Sequence, residues 1–397
     1  MAHQIRATPS KSETVGTDHG FGLSTCAFFL AYLKPWSVPY FIMLSPESLI
    51  FLKKLLDVPG PSGFESTAAR LWRQEAEKVG TVTSDVAGNS VAIVNQGAPV
   101  TIMLAGHIDE IGVIVTWIDD EGFVWIGPIG GWDPQVLPGQ RIRFAGREGD
   151  VLGVVGRKPI HLIKREDRDK AVKLEELWVD IGATSRADAE ARLSVGDAGV
   201  IDSRVVELPN NRLASRSVDD RIGAFVVLEA LRRYADSPGA AAVAAVATTQ
   251  EEIGYHGGGA LIVAGKLGPT MAIAVDVTHA TDHPTAEKKD SGDHRIGGGP
   301  VLTRGSVVSP VAFRILRDAA TRLQIPFSVQ AAGRETSTDA DFIHLAREGI
   351  PTALVSIPNR YMHSPNEVVS LDDVDRTATL LAEACRAVTT GTDFTDR

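Results

Sequence analysis

What most constrains this chain is a set of apolar runs that stop abruptly on an acid or a histidine. VTIMLAG leads into His107-Ile108-Asp109, AAVAAVATTQ into Glu251-Glu252, and TMAIAV into Asp276. The polar stretch SRSV enters Asp219-Asp220 just ahead of a helix-like segment, and PTALVSI is followed by RYMHSPNE, with His363. Wholly apolar runs of strand length belong at the centre of a sheet covered on both faces. Such sheets carry their chemistry outside the strand ends. The groups are far apart in sequence, so one site built from them requires a fold that gathers successive strand ends.

The rest of the chain agrees with such a fold. Ser45 offers a helix N-cap and Pro46 suits the first turn, which predicts a helix to about Leu56, stopped by VPGPSG. A second helix is expected over about 65–78, then strands VTSDV and SVAIV. From Ser217 strands and helices alternate: a helix over about 219–235, one after Gly257, VAFRILRDAATRL, DADFIHLAREG and a last one from about Leu371. Between about 117 and 211 the texture changes. FVWIGPI, RIRFAG, VLGVVG, LWVDIG and AGVID are short and separated by turn residues, with SRADAEARL the one helical stretch, as in a small β-barrel. The expected fold class is α/β: a mixed, mostly parallel sheet flanked by helices, formed by 43–116 and 212–397, with a β-barrel of 117–211 inserted.

Composition narrows the function. A net charge of −10, from 50 acids against 40 bases, argues against a nucleic-acid partner. Cys26 and Cys385 are the only cysteines and form no CxxC, so neither a disulfide framework nor a thiolate metal site is expected, and a reducing, cytoplasmic compartment is. The apolar run 21–33 is shorter than the roughly 20 residues that span a bilayer. No signal-peptide cleavage pattern follows it, so neither a membrane anchor nor export is expected. Residues 1–42 read as a disordered arm or an over-long start assignment.

Each acidic or histidine motif has a plain reading beside a chemical one. His107 and Asp109, two apart on an extended segment, point the same way and suit a metal ligand with the carboxylate that orients it; a surface His beside a turn Asp is the alternative. Asp219 and Asp220 form either a helix N-cap pair or a carboxylate bridging two ions, since adjacent buried acids demand cations. Glu251 and Glu252 diverge in direction, so one can ligate while the other reaches a water; they can also be solvated acids at a sheet edge. Asp276 and His363 are each as consistent with structural roles as with ligation. Taken together, two imidazoles and three carboxylates make a set for two divalent ions sharing one carboxylate, with one Glu left over as a base.

AGHIDEIG, GGWDPQVLPGQR, VDDRIG, TTQEEIG, DVTHATDHP, TDAD and RYMHSPNEVV together resemble the tetrahedral, di-metal aminopeptidases, a family with glutamyl and deblocking members, some of them labelled endoglucanases. The resemblance runs from about Ser45 to Ala387. It implies a phosphorylase/peptidase-like catalytic domain with a PDZ-like barrel inserted for substrate access and oligomerisation. It implies one metal on His107, Asp219 and Asp276 and another on Asp219, Glu252 and His363, with Glu251 the general base and Asp109 the orienter of His107. The Asp219–Asp220 peptide is expected to be cis. Tyr255-His256 and Glu335-Thr336-Ser337 are less familiar for the family and leave the substrate preference open.

The expected reaction is hydrolysis of the N-terminal bond of peptides with a free amino terminus, through a metal-bridging water and Glu251. Zn²⁺ is the first choice of metal, with Co²⁺ and Mn²⁺ next. A related two-metal carboxypeptidase or amide deacylase is the alternative, and a glycoside hydrolase a weaker one, because adjacent glutamates do not flank a sugar bond. The resemblance also implies a homo-oligomer, a dodecamer. Phe123, Trp125 and Trp132, grouped at the start of the barrel, are candidates for its core or for an interface.

Overall fold

The structure, a computed structural model, describes residues 44–254 and 258–395. The expected arm over 1–42 lies outside the described residues, as do Tyr255 and His256.

Helices α1 (Pro46–Asp57) and α2 (Ser66–Ala76) come first; Ser45 caps α1 by accepting the Ser48 N–H at 3.1 Å. Strands β1 (Thr81–Ser84), β2 (Ser90–Val94) and β3 (Thr101–His107) follow. Next come β4 (Gly112–Ile118), β5 (Val124–Ile129), β6 (Arg141–Gly146), β7 (Gly149–Gly156), β8 (Trp178–Asp180), the short helix α3 (Arg186–Glu190) and β9 (Ala198–Ile201). After β10 (Val206–Leu208) and β11 (Arg212–Ser215) the α/β pattern resumes with α4 (Val218–Asp236), β12 (Ala242–Thr248), α5 (Gly258–Leu267), β13 (Met271–His279) and α6 (Lys288–Ser291). It closes with β14 (Val301–Gly305), α7 (Pro310–Leu323), β15 (Ser328–Ala332), α8 (Ala340–Ile343), β16 (Thr352–Asn359), β17 (Glu367–Ser370) and α9 (Leu371–Ala387).

The fold is mixed α/β, as expected. Eight strands form one sheet in the order β1-β2-β12-β3-β13-β16-β14-β15. Its centre, β12-β3-β13-β16, is parallel, and antiparallel pairings flank it at β2–β12 and β14–β16. Neighbouring residues of these strands serve opposite faces. Ile102 and Leu104 join the core under α1, α4, α7 and α9, while Met103 and Ala105 join the smaller core under α5 and α8. Both faces are buried, which is why these strands read as unbroken apolar runs.

The β-rich insert closes into a six-stranded barrel, β4-β5-β8-β7-β6-β9, around its own core of Val113, Val115, Ile126, Phe144 and Val179. It leaves the sheet right after His107 and returns ahead of α4, between the first two acidic motifs. Trp132 packs against the barrel core, whereas Trp125 meets Trp178 at a tilt and Phe123 meets it edge to face, with ring centroids 6.0 and 6.2 Å away.

Two local departures have physical causes. The helix expected over DADFIHLAREG spans only Ala340–Ile343, and the left-handed backbone at Arg347 and Gly349 (φ 57° and 99°) keeps it from resuming before β16. The three-stranded sheet β10-β11-β17 pairs segments far apart in sequence, and no local pattern announces such pairing.

Candidate active site

The parallel strands β3, β12 and β13 end side by side, and their C-terminal ends meet the start of α4. The approach is close because of two glycines. A methyl at Gly106 would strike the backbone of Gly223, and one at Gly223 would strike the Asp220 carboxylate. Only glycine lets β3 and α4 pack this tightly. The chain reaches the site through left-handed residues, with φ of 56° at Ser217, 61° at Gln250 and 57° at His363. Non-glycine residues in this region gather where a surrounding framework imposes the conformation, as at active sites. The Asp219–Asp220 peptide is cis.

These turns bring together all the residues singled out by sequence. Asp219 Oδ1 lies 3.2 Å from His107 Nε2, and Asp219 Oδ2 lies 3.3 Å from His363 Nε2. Glu252 Oε2 is 3.3 Å from the same His363 nitrogen, and Glu251 Oε2 is 3.8 Å from His107 Nε2. On the far side of the first ring, His107 Nδ1 faces Asp109 Oδ1 at 3.4 Å. Asp276 closes the group: ligand atoms of His107, Asp220 and Asp276 fall within 4.8 Å of one another, as do those of His107, Asp219 and Glu252.

A backbone-binding shell holds this cluster. Asp109 is fully buried, accepts the Ser62 hydroxyl, and takes the N–H groups of Glu251 (3.3 Å) and Glu252 (3.1 Å). It therefore fixes the Glu-Glu turn as well as facing His107. Both Asp220 oxygens are committed to main chain, to His107 N–H at 3.2 Å and Gly223 N–H at 3.0 Å. Asp219 spends neither oxygen on a backbone donor, which distinguishes the two neighbours.

Glu367, to which the sequence alone assigns no role, holds two parts of the site. Its carboxylate accepts the N–H of Asp219 and of His363, both at 2.8 Å. Asp339 is a second such residue. It accepts the Thr248 hydroxyl, and burial pushes its carboxyl up to about 6. A signal existed for both in their motifs, HSPNE and TDAD, but no spacing rule tells a backbone clamp from a solvated acid.

The electrostatics show a surplus of negative charge. Burial pushes Glu251 well above the usual carboxylate range, reinforced by Asp276, Asp339 and Glu252. Burial does the same to Asp276 and Glu367, with Asp219 adding to both. Asp219 is the exception. Burial opposes its charge, but the hydrogen bonds to His107 and His363 outweigh that and hold it low. His363 is driven the other way: against burial, Asp219 and Glu252 push it up to about 11. Glu110 stands apart, neutralised by the buried Arg216 and Arg221. So many buried acids around two imidazoles are costly without positive charge among them.

A family model for the M42 glutamyl aminopeptidases matches residues 88–380. The lysyl aminopeptidase of Pyrococcus furiosus is 36% identical over 339 residues, covering 83% of this chain and 94% of its own length. The crystal structure of a TET aminopeptidase from a marine sediment Thaumarchaeota archaeon superposes with a TM-score of 0.82 at 32% identity, covering 87% of this chain and 97% of that one. The TET1 peptidase of Pyrococcus horikoshii, described as assembling into a tetrahedron or a large octahedral shell, gives 0.75 at 27% identity, covering 86% and 100%. The chain belongs to the M42 glutamyl aminopeptidase family and is a peptide-bond hydrolase. Among the described residues no helix is long and apolar enough to cross a membrane.

Proposed function

We propose that this chain is a dinuclear-metal aminopeptidase that hydrolyses the N-terminal bond of peptides. The observation that carries the reading is Asp219, whose two oxygens face different imidazoles at 3.2 and 3.3 Å. One carboxylate is thereby offered to two positions at once. The residues fit two divalent ions on further grounds: every donor is nitrogen or oxygen, acids outnumber cations, and Glu252 Oε1 is buried with no partner. His107, Asp219 and Asp276 would hold one ion, and Asp219, Glu252 and His363 the other. Such donors suit Zn²⁺ first and Co²⁺ or Mn²⁺ next. Ions bound there would lower the pKa of an attacking water and polarise the scissile carbonyl.

The side chains then divide the work. Glu251 stands by the same imidazole as Asp219 but is spare in the ligand set, so it takes the proton of the attacking water and returns it to the leaving amine. Asp109 keeps the His107 ring turned and neutral at the nitrogen that ligates. The remaining acid-rich mouth attracts the ammonium of a free peptide N-terminus, which favours the terminal bond over internal ones. We also assign access and assembly to the inserted domain expected over 117–211, whose barrel strands run from β4 (Gly112–Ile118) to β9 (Ala198–Ile201), and catalysis to the segments on either side of that barrel. The protein would act in a reducing compartment as a homo-oligomer, a dodecamer, in keeping with the shells described for its relatives.

The test is a panel of aminoacyl-p-nitroanilides on chelated enzyme with Zn²⁺, Co²⁺ or Mn²⁺ restored in turn. Activity is expected to vanish on chelation, return with metal, and be lost on N-acetylated substrates. Full activity after verified metal removal would sink the metal mechanism. Turnover of acetylated substrates would point to a deacylase instead.

A further inference from the structure

Beside Asp276 lies a cleft that the chemistry above leaves unused. It has a volume of ≈ 360 Å³ and is walled by β13, β14, β15, β16 and the loop after β15. Its position follows from strand register. Ser356 is the neighbour of Asp276 across the parallel β13–β16 pair, and Thr278 is two residues further along β13, so both face the side that Asp276 faces. Thr303 and Gln330 are paired across β14 and β15 and continue the same wall. The loop supplies Thr338, next to Asp339, whose charge reaches Glu251 and Asp276.

The lining is unusual for the interior of this sheet. The central strands are apolar on both faces, yet here hydroxyls and an amide replace aliphatic side chains. The Thr278 hydroxyl donates to Gln330 Oε1 at 2.9 Å, which turns the Gln330 amide nitrogen away as a donor. Thr303 is only 2% exposed, and its Oγ1 has no hydrogen-bond partner. A buried hydroxyl left unpaired costs stability unless something else satisfies it. Charged groups occur only at the exposed edge, where Arg334 and Glu335 are adjacent and opposite in sign.

We infer that this cleft receives the side chain of the substrate's N-terminal residue and selects neutral hydrogen-bonding side chains such as Gln, Asn and Thr. The inference rests on the aminopeptidase reading and deepens it. An apolar side chain of equal size desolvates the Gln330 amide without pairing it and leaves the already buried Thr303 hydroxyl without a partner, which is the more discriminating half of such a contact. A full charge finds no counter-ion among the residues that line the buried walls, and Arg334 and Glu335 at the edge are opposite in sign.

The experiment compares kcat/KM for p-nitroanilides of Gln with Met, Asn with Leu, and Thr with Val on the metal-loaded full-length enzyme, with Glu and Lys as charged controls. The polar member of each pair is expected to lead by about ten-fold, the order of one buried hydrogen bond in a partly open cleft. Thr303→Val should lower the Gln-to-Met ratio several-fold, a change in selectivity that a purely structural role does not produce. Gln330→Met, on the edge strand, makes the same test should Thr303→Val fail to fold. Equal rates within pairs, or a lead for Met, Leu, Glu or Lys, would overturn the cleft's role and leave the aminopeptidase standing. No turnover of any substrate would instead bring down the aminopeptidase reading, and the cleft assignment with it.

Discussion

Glu251→Gln and Glu252→Gln should fail in different ways although the residues are neighbours. Glu252 Oε2 sits 3.3 Å from His363 Nε2 and its other oxygen is buried without a partner, the posture of a ligand. Glu251 Oε2 is 3.8 Å from His107 Nε2, within reach of the space between the imidazoles but beyond a direct hydrogen bond. Replacing Glu251 by Gln removes a proton acceptor and keeps its size. Loss of a general base typically costs 10²–10⁴-fold in kcat, or about 2.7–5.4 kcal/mol of barrier. Metal content, read by elemental analysis after gel filtration, should remain at the wild-type level. Replacing Glu252 by Gln removes a charged donor from one of the two positions. Metal per subunit should fall first, and added metal should restore part of the activity. Equal metal loss in both variants would refute the division of roles, as would Glu251→Gln retaining more than about a tenth of wild-type kcat, given the general-base range.

Further outcomes follow from the same geometry. Gly223→Ala should destabilise the fold by roughly 1–3 kcal/mol, the cost of overpacking, and lower metal occupancy, because the new methyl meets Asp220 and Asp220 holds the His107 backbone; thermal melting and metal analysis would check it. Metal uptake should release protons and tighten as pH rises from 6 to 8. Carboxylate neighbours push His363 up to about 11 and hold His107 well above the usual imidazole range against burial, so an ion at either position must displace a proton that higher pH removes, and calorimetry in buffers of different ionisation enthalpy measures the release. A protein starting at Met43 should keep full activity and the same assembly size by light scattering; loss of either would give residues 1–42 a role. A monomer at micromolar concentration would refute the proposed shell.

The catalytic groups were legible because the strands that carry them are buried on both faces. In TMAIAV or AAVAAVA nothing polar competes for attention, so Asp276 and the Glu pair stand out at the strand ends. The barrel was visible for the opposite reason, its short strands and frequent turn residues contrasting with what surrounds it. The short strands β14 and β17 were not foreseen. Each is a handful of residues whose pairing is decided by distant partners, Ser356 and Val355 for β14 and Arg212–Ser215 for β17. Asp220 and Glu367 were visible as letters but not as clamps, since a carboxylate that binds backbone N–H groups has no sequence pattern of its own. Thr303 was invisible altogether. A threonine in a strand is what β-propensity alone predicts, and only the unpaired state of its buried hydroxyl singles it out.

The division between acids that hold backbone and acids that face the imidazoles explains how so crowded a cluster stays in place. Asp109, Asp220 and Glu367 together accept seven hydrogens, the Ser62 hydroxyl and the main-chain N–H groups of His107, Asp219, Gly223, Glu251, Glu252 and His363. These bonds hold the ends of β3, the Glu-Glu turn, the start of α4 and the His363 loop to one another without using the carboxylates of Asp219 or Glu252, while Asp276 commits only one oxygen, to its own neighbour's N–H at Val277. The second group can then keep oxygens aimed at the centre, where their mutual repulsion would otherwise drive the loops apart. Asp109→Asn tests this separation. The substitution leaves an amide whose N–H₂ cannot accept the Glu252 backbone N–H, so the Glu-Glu turn should loosen along with the His107 ring. Both kcat and metal affinity should therefore drop. A variant that lost activity while binding metal as tightly as the wild type would show that Asp109 acts on the chemistry alone and does not hold the turn.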